Sequence, residues 1–520
     1  MKFTVVGAIA LPLVAAASHG QDRFPHVARQ APASSSVTAL DAAAAPAATG
    51  SSAASGSTSV AASSPAVVAS STTAAASGAA SSAAASLPSG ASSAATSATF
   101  SSLPSVSWSL PSINPTALPL SDMGPGTITT QPQLGATTTF AAGSKPTGIP
   151  NAPAMPNWAL LSPANYPPLD KPPPTDSPEV LQWIQDVKNS GIEIPDIEPT
   201  QPGGCAANPA FAADKTRCWW TCGGCVDDAD ISNCPDKFTW GLTYDDGPAL
   251  YTPNLLQYLD QANLKSTFFA VGSRVISYPA LLQEEYMAGH QIAVHTWSHP
   301  DMTTVSNEGI IAELGWSKKV IKDVLGVTPL YWRPPYGDID NRVRAIGKAM
   351  GLEPIMWTRL DTTATFDTND YNIAGGTVSV TQVLQNWENI MNNVSSLDSG
   401  FIVLEHDLFA QTVDLATGYI LPAAQAFTPK LDIKPVISCL NKPMTDAYLE
   451  TNDNATNPLP TASNISPTFT SGAPGSAQAS GNASGGSAKN AAVPVKGVSS
   501  TLLTFGFSAA ALVAGLVALL

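Results

Sequence analysis

The chain has 520 residues, of which 44% are hydrophobic and only 12% charged, with 45 Pro and 38 Gly. A globular protein carries about 25% charged residues, so one folded domain between long unstructured flanks is expected. The net charge of −15, from 24 Lys and Arg against 39 Asp and Glu, argues against a nucleic-acid partner, which needs a basic face.

Residues 1–18, MKFTVVGAIALPLVAAAS, read as a secretory signal peptide. Lys2 supplies the basic start, a short apolar run follows, and Ala15 and Ala17 form a small-residue cleavage pattern. Residues 31–150 are rich in Ser, Thr, Ala and Pro and almost free of charge. Such a segment cannot bury enough apolar surface to offset chain entropy, and is expected to be a disordered, O-glycosylated stalk. Residues 151–202 form a Pro-rich approach segment. Within it, helical spacing over 178–190, with Pro178 near the start, predicts a short helix packed on the main domain.

The ordered domain is expected over residues 203–442. Strand patterns fall at 238–244, 266–271, 291–294, 330–333, 354–357 and 400–405. Helical patterns fall between them at 252–263, 278–288, 307–325, 340–350 and 381–394. Alternation of this kind predicts βαβ units and an α/β fold with a parallel sheet, open or closed into a barrel. All six cysteines, Cys205, Cys218, Cys222, Cys225, Cys234 and Cys439, lie in this domain. The Cys218, Cys222, Cys225 spacing resembles a zinc knuckle in isolation, but an even set in a secreted chain reads as disulfides, with the pairing open. A bridge to Cys439 would tie the two ends of the domain together.

Residues 451–500 form a second polar stretch, expected to be a glycosylated linker. Sequons stand at Asn393, Asn454, Asn464 and Asn482. Residues 491–520 hold a polar spacer with Lys496 and an uncharged apolar tail from Thr501. This pattern predicts a GPI-anchor signal, with Asn490 as the attachment residue and Gly485 and Ser487 as alternatives. A membrane-spanning helix is the rival, but no basic residue follows the tail. The expected location is outside the cell, anchored at the cell membrane or wall.

In α/β folds of this type, residues just after the strands build the active site. Thr243-Tyr244-Asp245-Asp246-Gly247-Pro248 places two carboxylates in a turn, where one can bind a metal while the other faces substrate. His295-Thr296-Trp297-Ser298-His299 puts two histidines at i and i+4, able to share a metal on one face of a helical turn. Arg333-Pro334-Pro335-Tyr336-Gly337 is a loop stiffened by its proline pair, which can aim the Tyr336 N–H at a developing oxyanion. His406-Asp407 ends the next strand, where a histidine facing a carboxylate suits general acid catalysis.

The ordered series T-Y-D-D-G-P, H-T-W-S-H, R-P-P-Y and L-x-H resembles the polysaccharide deacetylases with the NodB homology domain, carbohydrate esterase family 4. The glycosylated, GPI-type frame makes it most similar to the fungal chitin deacetylases. The resemblance covers residues 238–432 and implies a distorted (β/α) barrel of about seven parallel strands. It implies metal-dependent hydrolysis of the N-acetyl groups of chitin, giving chitosan and acetate, with Zn²⁺ or Co²⁺ as the metal. Carried onto this sequence, it makes Asp245 the general base, and Asp246, His295 and His299 the metal ligands. Arg333 would orient the base, and Tyr336 and Asp245 would contact the bound acetyl group. His406 would be the general acid, with Leu404 lining the methyl pocket. The fourth motif departs from the family pattern. Asp361 follows Trp357 at nearly the usual spacing and is the catalytic candidate, but Asp367-Thr368-Asn369-Asp370-Tyr371 matches the letters farther along, and the motif leaves open whether Asp361 or Asp370 partners His406. The alternative functions are an esterase or deacetylase acting on another acetylated glycan, and a non-catalytic cell-wall mannoprotein.

Overall fold

The computed structural model describes residues 112–126, 131–136, 138–361 and 364–453. The segment expected to be a signal peptide, most of the expected stalk, Asn454, Asn464, Asn482, Asn490 and the apolar tail lie outside the described residues. Among the described residues, no helix is long and apolar enough to cross a membrane.

The fold is α/β with two parallel sheets. Strand β1 (Thr239–Gly241) and strand β2 (Thr243–Asp245) are separated by Leu242 alone. They are followed by β3 (Thr267–Ala270), β4 (Gln291–Val294), β5 (Tyr331–Trp332), β6 (Glu353–Pro354), β7 (Phe401–Ile402) and β8 (Asp432–Lys434). One sheet runs β7-β1-β8, the other β2-β3-β4-β5-β6. The single strand expected over 238–244 is therefore divided. Leu242 is the hand-over point: its N–H donates to Lys434 O in one direction and its carbonyl accepts from Thr267 N in the other. Strands β1 to β5 are buried throughout, as expected for parallel sheets covered on both faces.

The helices are α1 (Pro178–Asn189), α2 (Gly204–Ala207), α3 (Pro209–Ala213), α4 (Thr252–Gln261), α5 (Gly272–Ser277), α6 (Pro279–Met287), α7 (Asn307–Leu325), α8 (Asn341–Ala349), α9 (Val380–Val394), α10 (Ala410–Leu415), α11 (Leu421–Gln425) and α12 (Val436–Cys439). Local chemistry sets their ends. Ser306 accepts from Gly309 N–H at the start of α7, and Gly326 leaves its end at φ 84°, the usual N-cap and left-handed stop. Ser177 caps α1, which buries Val180, Trp183, Ile184 and Val187. Trp183 meets Trp316 of α7 edge-on at 5.5 Å, so the approach segment is part of the folded unit.

Two expected boundaries move outward. The described residues among 112–150 are not a free stalk: Asn114 N–H donates to Gly418 O at 2.9 Å, Leu134 N–H to Asn254 Oδ1 at 3.0 Å, and Tyr419 OH to Leu118 O at 2.6 Å. Met123 and Ile149 are buried there. A few apolar anchors and backbone hydrogen bonds suffice to dock the segment on an existing surface. At the other end the domain continues past 442. Tyr448 is buried and accepts the Ile292 N–H at 2.9 Å.

All six cysteines are paired, as Cys205–Cys222, Cys218–Cys225 and Cys234–Cys439. The last joins the beginning and end of the sheet region. Asn393 is partly exposed near the end of α9, with its amide donating to Asn389 O.

Candidate active site

The end of β2 is stitched to the chain after β7. Asp245 N–H donates to Glu405 O at 2.9 Å, and Asp407 N–H donates back to Asp245 O at 3.1 Å. Asp246 then turns away from the strand at φ 79°, so two successive carboxylates face different partners. A Cβ at Gly247 would overlap the Asp407 carboxylate; only glycine lets the turn lie this close.

The segment after β4 brings its two histidines together, though not as one face of a helical turn. No helix forms over 295–299. The convergence comes from left-handed backbone at Thr296 (φ 62°) and His299 (φ 61°). Such conformations cost non-glycine residues roughly 1 kcal/mol or more each, and Glu313 of α7 offsets this. Its carboxylate accepts the Trp297 and Ser298 N–H groups, both at 2.8 Å. His295 Nδ1 lies 2.8 Å from Arg333 O. A carbonyl only accepts, so Nδ1 donates there and Nε2 is the ring atom left facing Asp246.

His299 Nε2 is 3.1 Å and His295 Nε2 3.4 Å from Asp246 Oδ1. That oxygen is buried and accepts no well-formed hydrogen bond. The ligand atoms of Asp246, His295 and His299 all lie within 4.8 Å of one another. An orphaned carboxylate oxygen flanked by two imidazole Nε2 atoms fits a divalent cation, and one carboxylate with two imidazoles suits borderline metals. Burial pushes the Asp246 carboxyl up, but the neighbouring His299 and His295 hold it well below the usual carboxylate range. Burial pushes His299 down, which favours the neutral, metal-binding form.

Asp245 is held by Arg333, with its other oxygen 3.7 Å from His295 Nε2. Arg333 NH1 lies 2.7 Å from its Oδ1 and also donates to Thr243 Oγ1, while Nε and NH2 donate to the carbonyls of Ile355 and Met356. The guanidinium is fully buried and four of its five N–H donors are engaged, so it fixes the carboxylate rather than following it. Tyr336 follows Pro335 at φ 58°; its ring is 42% exposed and meets the His299 ring edge-on at 4.7 Å. Leu404 is buried and bridged to Asp367.

His406 Nδ1 lies 2.7 Å from Asp370 Oδ1, and the His406 N–H donates to Asp370 Oδ2 at 3.0 Å. Nδ1 therefore donates to the carboxylate, and Nε2 is left for proton transfer. Burial disfavours the imidazolium, but Asp370, with help from Asp246 and Asp245, pushes His406 up to about 10. The catalytic candidate Asp361 is corrected here to Asp370. Asp361 is exposed and its carboxylate accepts the Ala364 N–H at 2.7 Å. It closes a turn between Arg359 and Thr365, which pair as an antiparallel bridge. Asp367 pairs with Leu404 beyond that turn, and this register delivers Asp370 to His406. Glu313 was not legible as a site residue: a glutamate inside a mixed helical stretch carries no local signal that it will cap a loop from another element.

The polysaccharide deacetylase family profile matches residues 232–355. Chitin deacetylase 1 of Cryptococcus neoformans var. grubii is 52% identical over 322 residues, covering 61% of this chain and 67% of that protein. A chitin deacetylase of Amylomyces rouxii is 39% identical over 238 residues, covering 44% of this chain and 54% of that protein. Among solved structures, the chitin deacetylase of Colletotrichum lindemuthianum matches 43% of this chain and 97% of its own at 26% identity, with a TM-score of 0.38. By its identity to the Cryptococcus protein over two thirds of that protein's length, the chain belongs to the polysaccharide deacetylase family.

Proposed function

We propose that this protein hydrolyses the N-acetyl groups of N-acetylglucosamine units in chitin, releasing acetate and leaving chitosan. The observation that carries this reading is the convergence of three groups of residues: Asp246, His295 and His299; Asp245 held by Arg333; and His406 held by Asp370. The sheets supporting the site close into a distorted barrel in this reading, a closure supported by the hydrogen bonds from β2 to 405–407 and from Thr358 to Ile402.

Asp246, His295 and His299 would hold the metal, Zn²⁺ or Co²⁺. A divalent cation bound by such a set acidifies the attacking water and polarises the acetyl carbonyl. Asp245, aimed by Arg333, takes the proton from the water as it attacks the carbonyl carbon. The Tyr336 N–H donates to the oxyanion of the tetrahedral intermediate. Leu404 packs against the acetyl methyl group. His406 delivers its proton to the leaving nitrogen as the C–N bond breaks, so acetate and a free amine result. An amine is a poor leaving group without that proton, and the elevated basicity of His406 keeps the proton in place at neutral pH.

The protein is proposed to work outside the cell, held at the membrane or wall by a GPI anchor, with 1–18 as signal peptide and 491–520 as the removed propeptide. The test of activity is acetate release from chitin oligomers beside acetylated xylan and peptidoglycan. Release from chitin is expected; release from another glycan alone transfers the chemistry to that substrate, and release from none supports a non-catalytic wall protein. Release of the protein from cells by a phosphatidylinositol-specific phospholipase tests the anchor, and retention of residues 491–520 in the mature protein refutes it.

A further inference from the structure

Asp338 lies two residues beyond Tyr336, is 3% exposed, and touches neither the metal ligands nor the acid–base pairs. Its carboxylate nevertheless receives four hydrogen bonds from two other segments. Trp219 Nε1 and Thr221 Oγ1 donate to Oδ1 at 2.6 and 3.0 Å. Thr303 N and Thr303 Oγ1 donate to Oδ2 at 2.8 and 2.7 Å. A buried carboxylate satisfied at both oxygens is a rigid joint, because each bond is charge-assisted and directional.

The segments it joins matter to the site. Thr303 stands four residues after His299, at the end of the metal-ligand loop. Trp219 and Thr221 belong to a strip held at both ends by the Cys218–Cys225 and Cys205–Cys222 disulfides. The same strip grips the neighbouring backbone: Trp220 N–H donates to Ile339 O at 3.0 Å. Gly337, at φ +63°, lies so close beneath Trp220 and Trp357 that a Cβ there would come within 2.8 and 2.7 Å of them. Tyr336 is thus a non-glycine residue in left-handed backbone, held between Pro335 and a clamped Gly337-Asp338.

We infer that Asp338 is a positioning residue for deacetylation, joining the Tyr336 loop to the metal-ligand loop through Thr303 and to the disulfide-held strip through Trp219 and Thr221. This rests on the proposed assignment of Tyr336 N–H as the oxyanion donor. A donor displaced by about 1 Å loses up to about 10²-fold in rate, without any change in which groups are present.

The experiment measures kcat, KM and bound zinc on a chitin oligomer for the full chain and for Thr303→Val, Thr303→Ser, Trp219→Phe and Asp338→Asn. Thr303→Val removes one donor with little change of shape; Trp219→Phe removes one donor and also trims the buried ring. Each is expected to lower kcat about tenfold per bound zinc, with KM and zinc stoichiometry unchanged, and Asp338→Asn to lower it further. Thr303→Ser, which keeps both donors, is expected to restore the rate. A kcat within twofold of the parent in Thr303→Val and Trp219→Phe overturns the inference, as does a rate loss that only tracks lost zinc. A parent protein that loads zinc but releases no acetate overturns the proposed activity instead, and is read before any variant.

Discussion

Replacing Asp370 by Asn isolates what that carboxylate does for His406. In the parent, burial disfavours the imidazolium and Asp370, with the site aspartates, outweighs it, placing His406 at about 10 against an ordinary 6.5. Asparagine offers one acceptor where Asp370 supplies two, to the His406 ring and to its backbone N–H, and it has no charge. Burial is then opposed only by Asp246 and Asp245, and the group falls toward the ordinary 6.5. At pH 8 that leaves about 3% of His406 protonated, so acetate release is expected to drop about 30-fold there and the alkaline limb of the pH–rate profile to move toward neutrality. A cation held by Asp246 offsets part of that carboxylate's pull on His406, so the quantity to compare is the displacement of the limb between parent and variant, both loaded with zinc. Below pH 6 the two rates converge, apart from the loss of ring orientation. An unmoved alkaline limb in Asp370→Asn refutes the pairing, and an equal displacement in Asp361→Asn shows that the wrong carboxylate was assigned.

Asp246→Asn is expected to weaken zinc binding measured by chelator competition, whereas Asp245→Asn keeps the metal and loses about 10²–10⁴-fold in rate; the opposite pattern reverses the two assignments. His290 is buried, pushed down to about 3 by burial, and accepts the Ser266 N–H at 3.1 Å. The folded protein keeps it neutral while the unfolded chain protonates below 6.5, so stability falls as pH drops through that window, by about 2 kcal/mol at pH 5. His290→Gln should flatten the change in urea midpoint between pH 7 and pH 5, and an unchanged slope removes the claim. Burial pushes Lys318 down to about 7, although it donates to Met350 O. The unfolded chain binds the extra proton between pH 7 and about 10, so stability rises with pH across that range. Lys318→Met should be more stable than the parent at pH 7 and lose that slope; a lower thermal midpoint at pH 7 shows that the hydrogen bond outweighs the burial of charge.

The parts of the fold visible in the sequence are those whose ends are written locally. Helix α7 runs Asn307–Leu325 between a serine cap and a glycine stop, and α9 begins after a Ser379 cap; both match the pattern-based bounds to within a residue. Helices α10 and α11 left no such trace. They sit on either side of the π-helical turn Ala416–Ile420, and nearly every residue from Ala410 to Ala424 is buried. A helix covered all round shows no amphipathic stripe. The strand over 238–244 was visible as one apolar run because its two halves share the same composition; only the partners, Lys434 and Thr267, reveal that they belong to different sheets.

The site was legible where one short motif carries both a residue and its orientation. Asp245 and Asp246 were separable from sequence because neighbours at a strand end diverge, and the structure puts Arg333 on Asp245 and His299 on Asp246, with His295 between them. It was not legible where spacing had to stand for distance. The i, i+4 histidines meet through left-handed backbone rather than a helical turn, since Glu313, a residue on another element, holds the loop between them. The choice between Asp361 and Asp370 fails for a related reason. Leu360 N–H donates to Ala364 O and Asp361 accepts from Ala364 N–H, while Arg359 reaches Trp220 O and anchors the excursion on the disulfide-held strip. A turn whose hydrogen bonds close on themselves adds residues without moving the chain on either side of it. The register resumes at Phe366, which pairs with Thr358 and Leu404, and the carboxylate that the chemistry needs is the one delivered after the turn, whatever the count of residues before it.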